Sequence, residues 1–351
     1  MLKKWLGFGV GLLVSIGILA LLIGSDVEAV KEELQSARYL YAIPFILLHV
    51  GGVLTRSIRW QVLLDQRIGR RDSFEITSAG YFLSGVLPLR LGDFARAWMT
   101  TRLKEPVPAF TSLSTVVVER LVDLLAVVGL LGVMLAFLDV PQQVATVGAV
   151  LGLLAFAGVF VLAIASAYKT RTLAIFHWFH QRIPLLNKLP LEAKLGEFLD
   201  GIQPLARPAT TLKVIFWTTL SWLLSVGGGY VILFTLFDSP TLGAAIALTV
   251  FTALSVALPA VPGNLGPFEG ATVGALWISA LIAGVSAPEN AAGIALGTLL
   301  HILSLGTYVV LGVYGLYAQQ LSLRQAAAGA KTVAENENRP QKLDMAQESL
   351  G

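Results

Sequence analysis

An all-α, polytopic membrane helix bundle is the fold class this sequence predicts, and three observations predict it. Of 351 residues, 55% are hydrophobic and only 13% charged, with a mean hydropathy of +0.74, a balance typical of membrane proteins. The apolar residues form continuous runs of about 20 rather than an alternating pattern, which fits helices and not a barrel. Loop charge also changes sign along the chain, as loops on opposite sides of a membrane do.

Lipid offers backbone amides no partners, so each crossing must satisfy its own hydrogen bonds. Six runs have the length: Trp5–Gly24, Leu40–Leu64, Phe110–Leu138, Val144–Ala167, Leu212–Phe237 and Ala291–Gln319. The first follows Lys3 and Lys4 as a signal peptide would. It exceeds the usual ~7–15-residue apolar core and no small-x-small site follows, so an uncleaved anchor is expected. Two further apolar regions are broken by Pro and Gly, Phe74–Trp98 around LPLRLGD and Leu242–Val285 around LPAVPGNLGPFE. Proline removes a donor and glycine loosens the helix, so each region is expected to be two half-helices interrupted near Pro88–Gly92 and Pro262–Gly266.

With Lys3 and Lys4 placed in the cytoplasm, Asp26, Glu28, Glu32 and Glu33 put residues 25–39 outside. Arg67, Arg70, Arg71, Arg102 and Lys104 put both flanks of the first broken region inside, and Asp238 and Glu289 put those of the second outside. Both termini are then cytoplasmic, in a cytoplasmic-type membrane. This parity closes when each broken region leaves on the side it entered, so two re-entrant hairpins are expected. Two full spans in the second region have the same parity and stay open as the alternative. LGDF at 91–94 and LGPFE at 265–269 resemble each other, the pattern of an inverted repeat. The transmembrane domain is expected over 1–320. Within it the cytoplasmic link 168–210 contains FHWFHQRI and reads either as an interfacial helix or as a solvated connector. Residues 321–351 read as a disordered tail.

Charges inside a bilayer cost at least about 2.5–3.5 kcal/mol, so intramembrane ions are candidate functional groups. Arg56 and Arg59 lie late in the second span, either snorkelling or holding phosphate. Arg90, Asp93 and Arg96 sit at the first break; Asp93 suits a helix start, whereas Arg90 and Arg96 need counterions or an anionic ligand. Glu119, Arg120 and Asp123 share the third span, with Glu119 and Asp123 on one face as natural partners for Arg90 and Arg96. At the second break, Pro262, Gly263, Asn264 and Gly266 precede Glu269. The amides of Gly263, Asn264 and Gly266 are candidates to cradle phosphate, and Glu269 is a helix cap or a proton carrier.

The absence of cysteine excludes disulfides, thiolate metal sites and cysteine nucleophiles. His49, His177, His180 and His301 are scattered without a metal-binding motif, and no nucleotide-binding fingerprint occurs. No cofactor or metal is expected, nor a nucleic-acid partner, since the net charge of +3 follows topology.

In order, RSIRWQVLL, GYFLSGVLPLRLGDFARAW, VVVERLVDLL and LPAVPGNLGPFEGA resemble the lysylphosphatidylglycerol synthase transmembrane-region family of flippase-like proteins. The matching motifs are P-x-R-x-G-[DE]-x-x-R at Pro88, Arg90, Gly92, Asp93 and Arg96; E-R-x-x-D at Glu119, Arg120 and Asp123; and P-G-x-x-G-x-x-E at Pro262, Gly263, Gly266 and Glu269. The resemblance covers residues 5–320 and implies lipid handling. It argues against aminoacyl transfer, because the soluble domain of the fused family members has no counterpart here. Where many members have Asn before the first Leu-Pro, this chain has Ser84-Gly85, which leaves the headgroup open.

The leading expectation is a transporter, not an enzyme, that moves a phosphate-bearing phospholipid or polyprenyl-phosphate-linked headgroup between leaflets. Its partners are membrane lipids with anionic headgroups. A carrier of small anions, an intramembrane lipid phosphatase or transferase, and an accessory subunit of a cell-envelope enzyme are the alternatives.

Overall fold

A computed structural model describes residues 27–87, 91–138, 140–182, 191–257, 264–282, 284–285 and 289–335, which are α-helices joined by turns, with no strand among them. The all-α bundle expected from composition is what forms. The expected anchor at 5–24 lies outside the described residues, as do Pro88, Arg90, Pro262, Gly263 and residues 336–351.

The helices, in order among the described residues, are α1 Val27–Ser36, α2 Ala42–Leu63, α3 Arg70–Val86, α4 Leu91–Thr100 and α5 Ala109–Met134. There follow α6 Gln142–Ala167, α7 Lys169–Arg182, α8 Leu191–Ile202, α9 Pro208–Leu233, α10 Leu242–Ala257, α11 Pro267–Ile278, α12 Ala291–Ala318 and α13 Leu323–Glu335. Four of these, α2, α6, α9 and α12, are long and apolar enough to cross a membrane. At 26 residues α5 equals α6 in length, but Glu119, Arg120 and Asp123 interrupt its apolar run.

Both apolar regions are interrupted where the prolines and glycines predict. Leu87 closes α3 in an extended conformation (φ −92°, ψ 143°), as the residue before a proline must when Cδ crowds its helical region. At the other break Asn264 (φ 54°) and Gly266 (φ 87°) reverse the chain, and Pro267 opens α11 at the position where a missing N–H costs nothing. The second arms are short. The 10 residues of α4 and 12 of α11 reach only about 15–18 Å at 1.5 Å per residue, roughly half of a ~30 Å hydrocarbon core. Each folds back onto its first arm.

The two halves pack in the same pattern. When α2, α3, α4 and α5 are matched with α9, α10, α11 and α12, packing of α3 on α12 answers that of α10 on α5, and α4 on α5 answers α11 on α12. Likewise α2 on α3 answers α9 on α10, while α2 and α9 pack on each other. Small residues permit these close approaches, as expected where packing rather than water exclusion drives association. A Cβ on Gly92 would stand 2.0 Å from the Gly80 carbonyl and 2.6 Å from the Ser84 nitrogen, and one on Gly315 2.2 Å from the Glu75 carbonyl.

One sequence expectation needs correction. Residues 323–335 of the expected disordered tail form α13, which packs on α4. Ala326, Gly329, Ala330 and Val333 recur at three- and four-residue spacing, and Gly329 lets the Trp98 ring approach the helix backbone. Their low apolar content hides this stripe from composition. Of the two readings left open for the link at 168–210, the helical one agrees with the helices found there. The link contains α7 and α8, and α8 lies against α5 at Gly201, where a Cβ would meet the Thr111 carbonyl at 2.4 Å.

Candidate functional site

Four elements, the charge-bearing α2, α4 and α5 and the polar face of α9, converge beside the first break. Arg59, one turn from the end of α2, is fully buried and grips Asp123 of α5 with a two-point fork, 2.6 Å from Nη1 to Oδ1 and 3.0 Å from Nη2 to Oδ2. The same guanidinium donates to Thr218 of α9 at 3.1 Å and to Glu119 at 3.4 Å. It does not snorkel. Trp222 of α9 adds a donor to Asp123 at 3.2 Å, and Arg56 donates to Ser225 at 3.0 Å while lying 5.8 Å from the Trp222 ring.

Arg96 of α4 occupies the other side of Glu119. Its Nη2 stands 2.9 Å from Glu119 Oε2, yet the N–H bonds do not aim at that oxygen. All three Arg96 nitrogens therefore lack a hydrogen-bond partner among the described residues, although the side chain is fully buried. Its guanidinium lies 4.2 Å from the Trp60 ring centroid, held by cation–π attraction, and Trp60 is itself fixed by a 2.9 Å bond to Thr115. The stem runs over Gly80, where a Cβ would meet Arg96 Cγ at 2.4 Å. Glycine at 80 and at 92 thus makes room for the arginine and brings α4 against α3.

Arg120 donates to Asp93 at 2.7 Å, joining α5 to the first turn of α4. Helix capping alone thus does not account for Asp93. The Arg120 side chain is 34% exposed, against 1% for Arg96, so the cluster runs from a buried floor to an accessible rim. Among the described residues four guanidinium groups, Arg56, Arg59, Arg96 and Arg120, face three carboxylates, Asp93, Glu119 and Asp123.

The second break is built differently. Glu269 Oε2 accepts the Gly266 amide at 2.6 Å, capping α11, so that amide is already committed and is no phosphate cradle. Asn264 donates to Ser255 at 3.2 Å. Glu269 Oε1 meets His301 Nδ1 of α12 at 2.8 Å, and the imidazole lies 4.9 Å from the Phe268 ring. Further along α12, Tyr308 contacts His49 of α2 at 4.9 Å and Tyr81 of α3 at 5.4 Å between ring centroids.

Among the sequence candidates, Arg59, Asp93, Arg96, Glu119, Arg120 and Asp123 come together, and Arg56 lies at their edge. Asn264, Gly266 and Glu269 form a separate group. Arg90, Pro262 and Gly263 lie outside the described residues. Sequence reasoning missed Thr218, Trp222, Ser225 and His301. A histidine within the apolar run LLHILSL was the available signal for the last, since a polar ring in lipid needs a partner. Among the described residues no group of three His, Cys, Asp or Glu side chains is placed to hold a metal ion.

The helices and the ion network define a multi-pass membrane protein with a polar centre beside a broken helix. The pattern of the lysylphosphatidylglycerol synthase TM region matches residues 8–312, and the chain belongs to that family. It is similar to a UPF0104 membrane protein of Methanothermobacter thermautotrophicus, 23% identical over 282 residues that cover 78% of this chain and 83% of that one. Glycosyltransferase AglD of Haloferax volcanii is 24% identical over 365 residues, covering 93% of this chain and 57% of its own length. This chain thus matches little more than half of that glycosyltransferase. No solved structure matches it.

Proposed function

We propose that this protein is a flippase-like transporter that moves a phosphate-bearing lipid between leaflets, with the arginine cluster holding the headgroup. Family membership supports a lipid-related role. Arg96 is the observation that carries the reading: a buried guanidinium, stacked on Trp60 and imperfectly answered by Glu119, presents donors suited to phosphate oxygens. A phosphate at the rim would meet Arg120 first and then compete with the carboxylates for the buried arginines. Such competition links occupancy to the packing of α4 against α5. Alternating exposure of the site, with acyl chains left in lipid, completes the cycle.

Arg96→Lys tests this. The ammonium keeps the charge but cannot stack or offer two-point contact, so lipid movement should fall about tenfold with detergent stability close to wild type. Fluorescent phosphatidylglycerol and a fluorescent polyprenyl phosphate in proteoliposomes provide the measurement. Unchanged movement of both lipids would remove the arginine site.

The relative named as a glycosyltransferase supports a second reading, in which the membrane region serves lipid-linked glycosyl transfer. Sugar transfer by purified protein would favour it. For orientation, we place both termini in the cytoplasm and α1 outside, as loop charge indicates. A cysteine at Ser36, introduced into this cysteine-free chain, should then react with impermeant reagents only from the external side.

A further inference from the structure

One buried titratable pair, Glu269 and His301, is left without a role by the arginine cluster. It sits where the two broken regions approach each other. A cavity of about 290 Å³ lies there, walled by Gly85 and Val86 of α3, Leu265 and Glu269 at the second break, and His301 and Leu305 of α12. Only 3% of the Glu269 side chain and 12% of the His301 side chain is exposed. With Glu269 ionised, a state in which it only accepts, the 2.8 Å contact requires the His301 tautomer with its proton on Nδ1 and leaves Nε2 as the basic nitrogen. With neutral imidazole the pair carries one negative charge in a largely apolar wall.

No further titratable group faces this pair among the described residues. The first break contributes Gly85 and Val86 to the wall, and Ser255 of α10 bonds Asn264 of the second break and is not part of that wall. From α1, which also packs on α12, Glu28 pairs with Lys31 at the surface, and Glu32 and Glu33 are outside the cavity wall. The α2 and α3 groups near α12, His49 and Tyr81, make tilted ring contacts with Tyr308 instead.

We infer that Glu269 and His301 form a proton-binding site whose loading and release are coupled to lipid movement. The coupling rests on the transport reading above; the proton site does not. Loading adds one proton from the aqueous phase to His301 Nε2 and turns the pair from net −1 into a neutral imidazolium–carboxylate pair. Release reverses this, and no other bond forms or breaks. A low-dielectric wall favours the neutral pair when the cavity is closed, and contact with a proton-poor phase favours release. Both partners are structural as well. Glu269 holds the first turn of α11 through the Gly266 amide, and His301 lies two turns from Tyr308 on α12, which reaches Tyr81 of the first hairpin.

Two measurements on the full chain in phosphatidylcholine–phosphatidylglycerol vesicles separate the parts. Infrared difference spectra taken over a series of pH values should show imidazole protonation accompanied by a carboxylate change. His301→Gln, which preserves a donor to Glu269, should remove that component. Glu269→Gln should remove its carboxylate part and serves as a second route if the other variant elutes as aggregate in detergent gel filtration. Identical spectra in wild type and the folded variants would overturn the proton site. In the second measurement an imposed pH difference should accelerate the movement of fluorescent phosphatidylglycerol about fivefold or more in wild type. His301→Gln should lose the acceleration, read as the ratio of its rates with and without the pH difference. Equal acceleration in both overturns the coupling. Titration without lipid movement in any vesicle overturns the transport reading and leaves the proton site standing.

Discussion

In the first broken region the arms α3 and α4 close on glycine backbone and deliver Arg96 and Asp93 into a network with Arg59, Glu119, Arg120 and Asp123. In the second, α10 and α11 close on apolar side chains and carry one ionisable group, Glu269, answered by a single histidine. The helices around both breaks pack alike, so the architecture does not dictate this difference. Two matching packing patterns thus carry a cluster of guanidinium groups and carboxylates at one break and a single carboxylate–histidine pair at the other. Repetition here supplies position, and side chains supply chemistry.

The comparison can be broken most directly at Glu119, which touches both Arg59 and Arg96. Glu119→Gln leaves two buried guanidinium groups short of a counterion and should destabilise by about 3–5 kcal/mol. Adding Arg96→Met should recover much of that loss if the two act as a pair, which thermal denaturation in detergent reads as a double-mutant cycle. A double variant no more stable than Glu119→Gln would show that Arg59, not Arg96, depends on this carboxylate. Glycines give a smaller contrast. Gly92→Ala forces backbone of α3 and α4 apart and should cost about 3 kcal/mol, the upper end for overpacking. Gly266→Ala meets the strain of φ 87°, ψ −65°, outside the regions L residues favour, and should cost about 1–3 kcal/mol. Equal losses at the two sites would mean that the hairpins close in the same way after all.

Much of this arrangement is legible in the sequence, and the rest fails for identifiable reasons. Proline and glycine act locally, so the interruptions between Val86 and Leu91 and between Ala257 and Pro267 follow from composition. Charges in apolar runs announce themselves by their solvation penalty, which identifies Arg59, Arg96, Glu119 and Asp123 as residues needing partners. It does not say which partners. Arg59 and Asp123 are 64 positions apart, and Thr218 and Trp222 come from the other half of the chain, so only packing brings them together. Glu269 and His301, 32 apart, were lost in the same way. The α13 helix escaped because its contact stripe of small residues and one valine is diluted by the polar residues between them when hydropathy is averaged.

Exchange of partners between the halves sets the order in which the molecule is completed. During synthesis α2, α3 and α5 leave the ribosome well before α9, α10 and α12, on which they pack. Until those arrive, Arg59 has Asp123 and Glu119 but not Thr218, and Asp123 lacks Trp222. The first half is therefore synthesised with a partly satisfied charge cluster that packing of the second half completes. Its maturation clock is the translation of the second half.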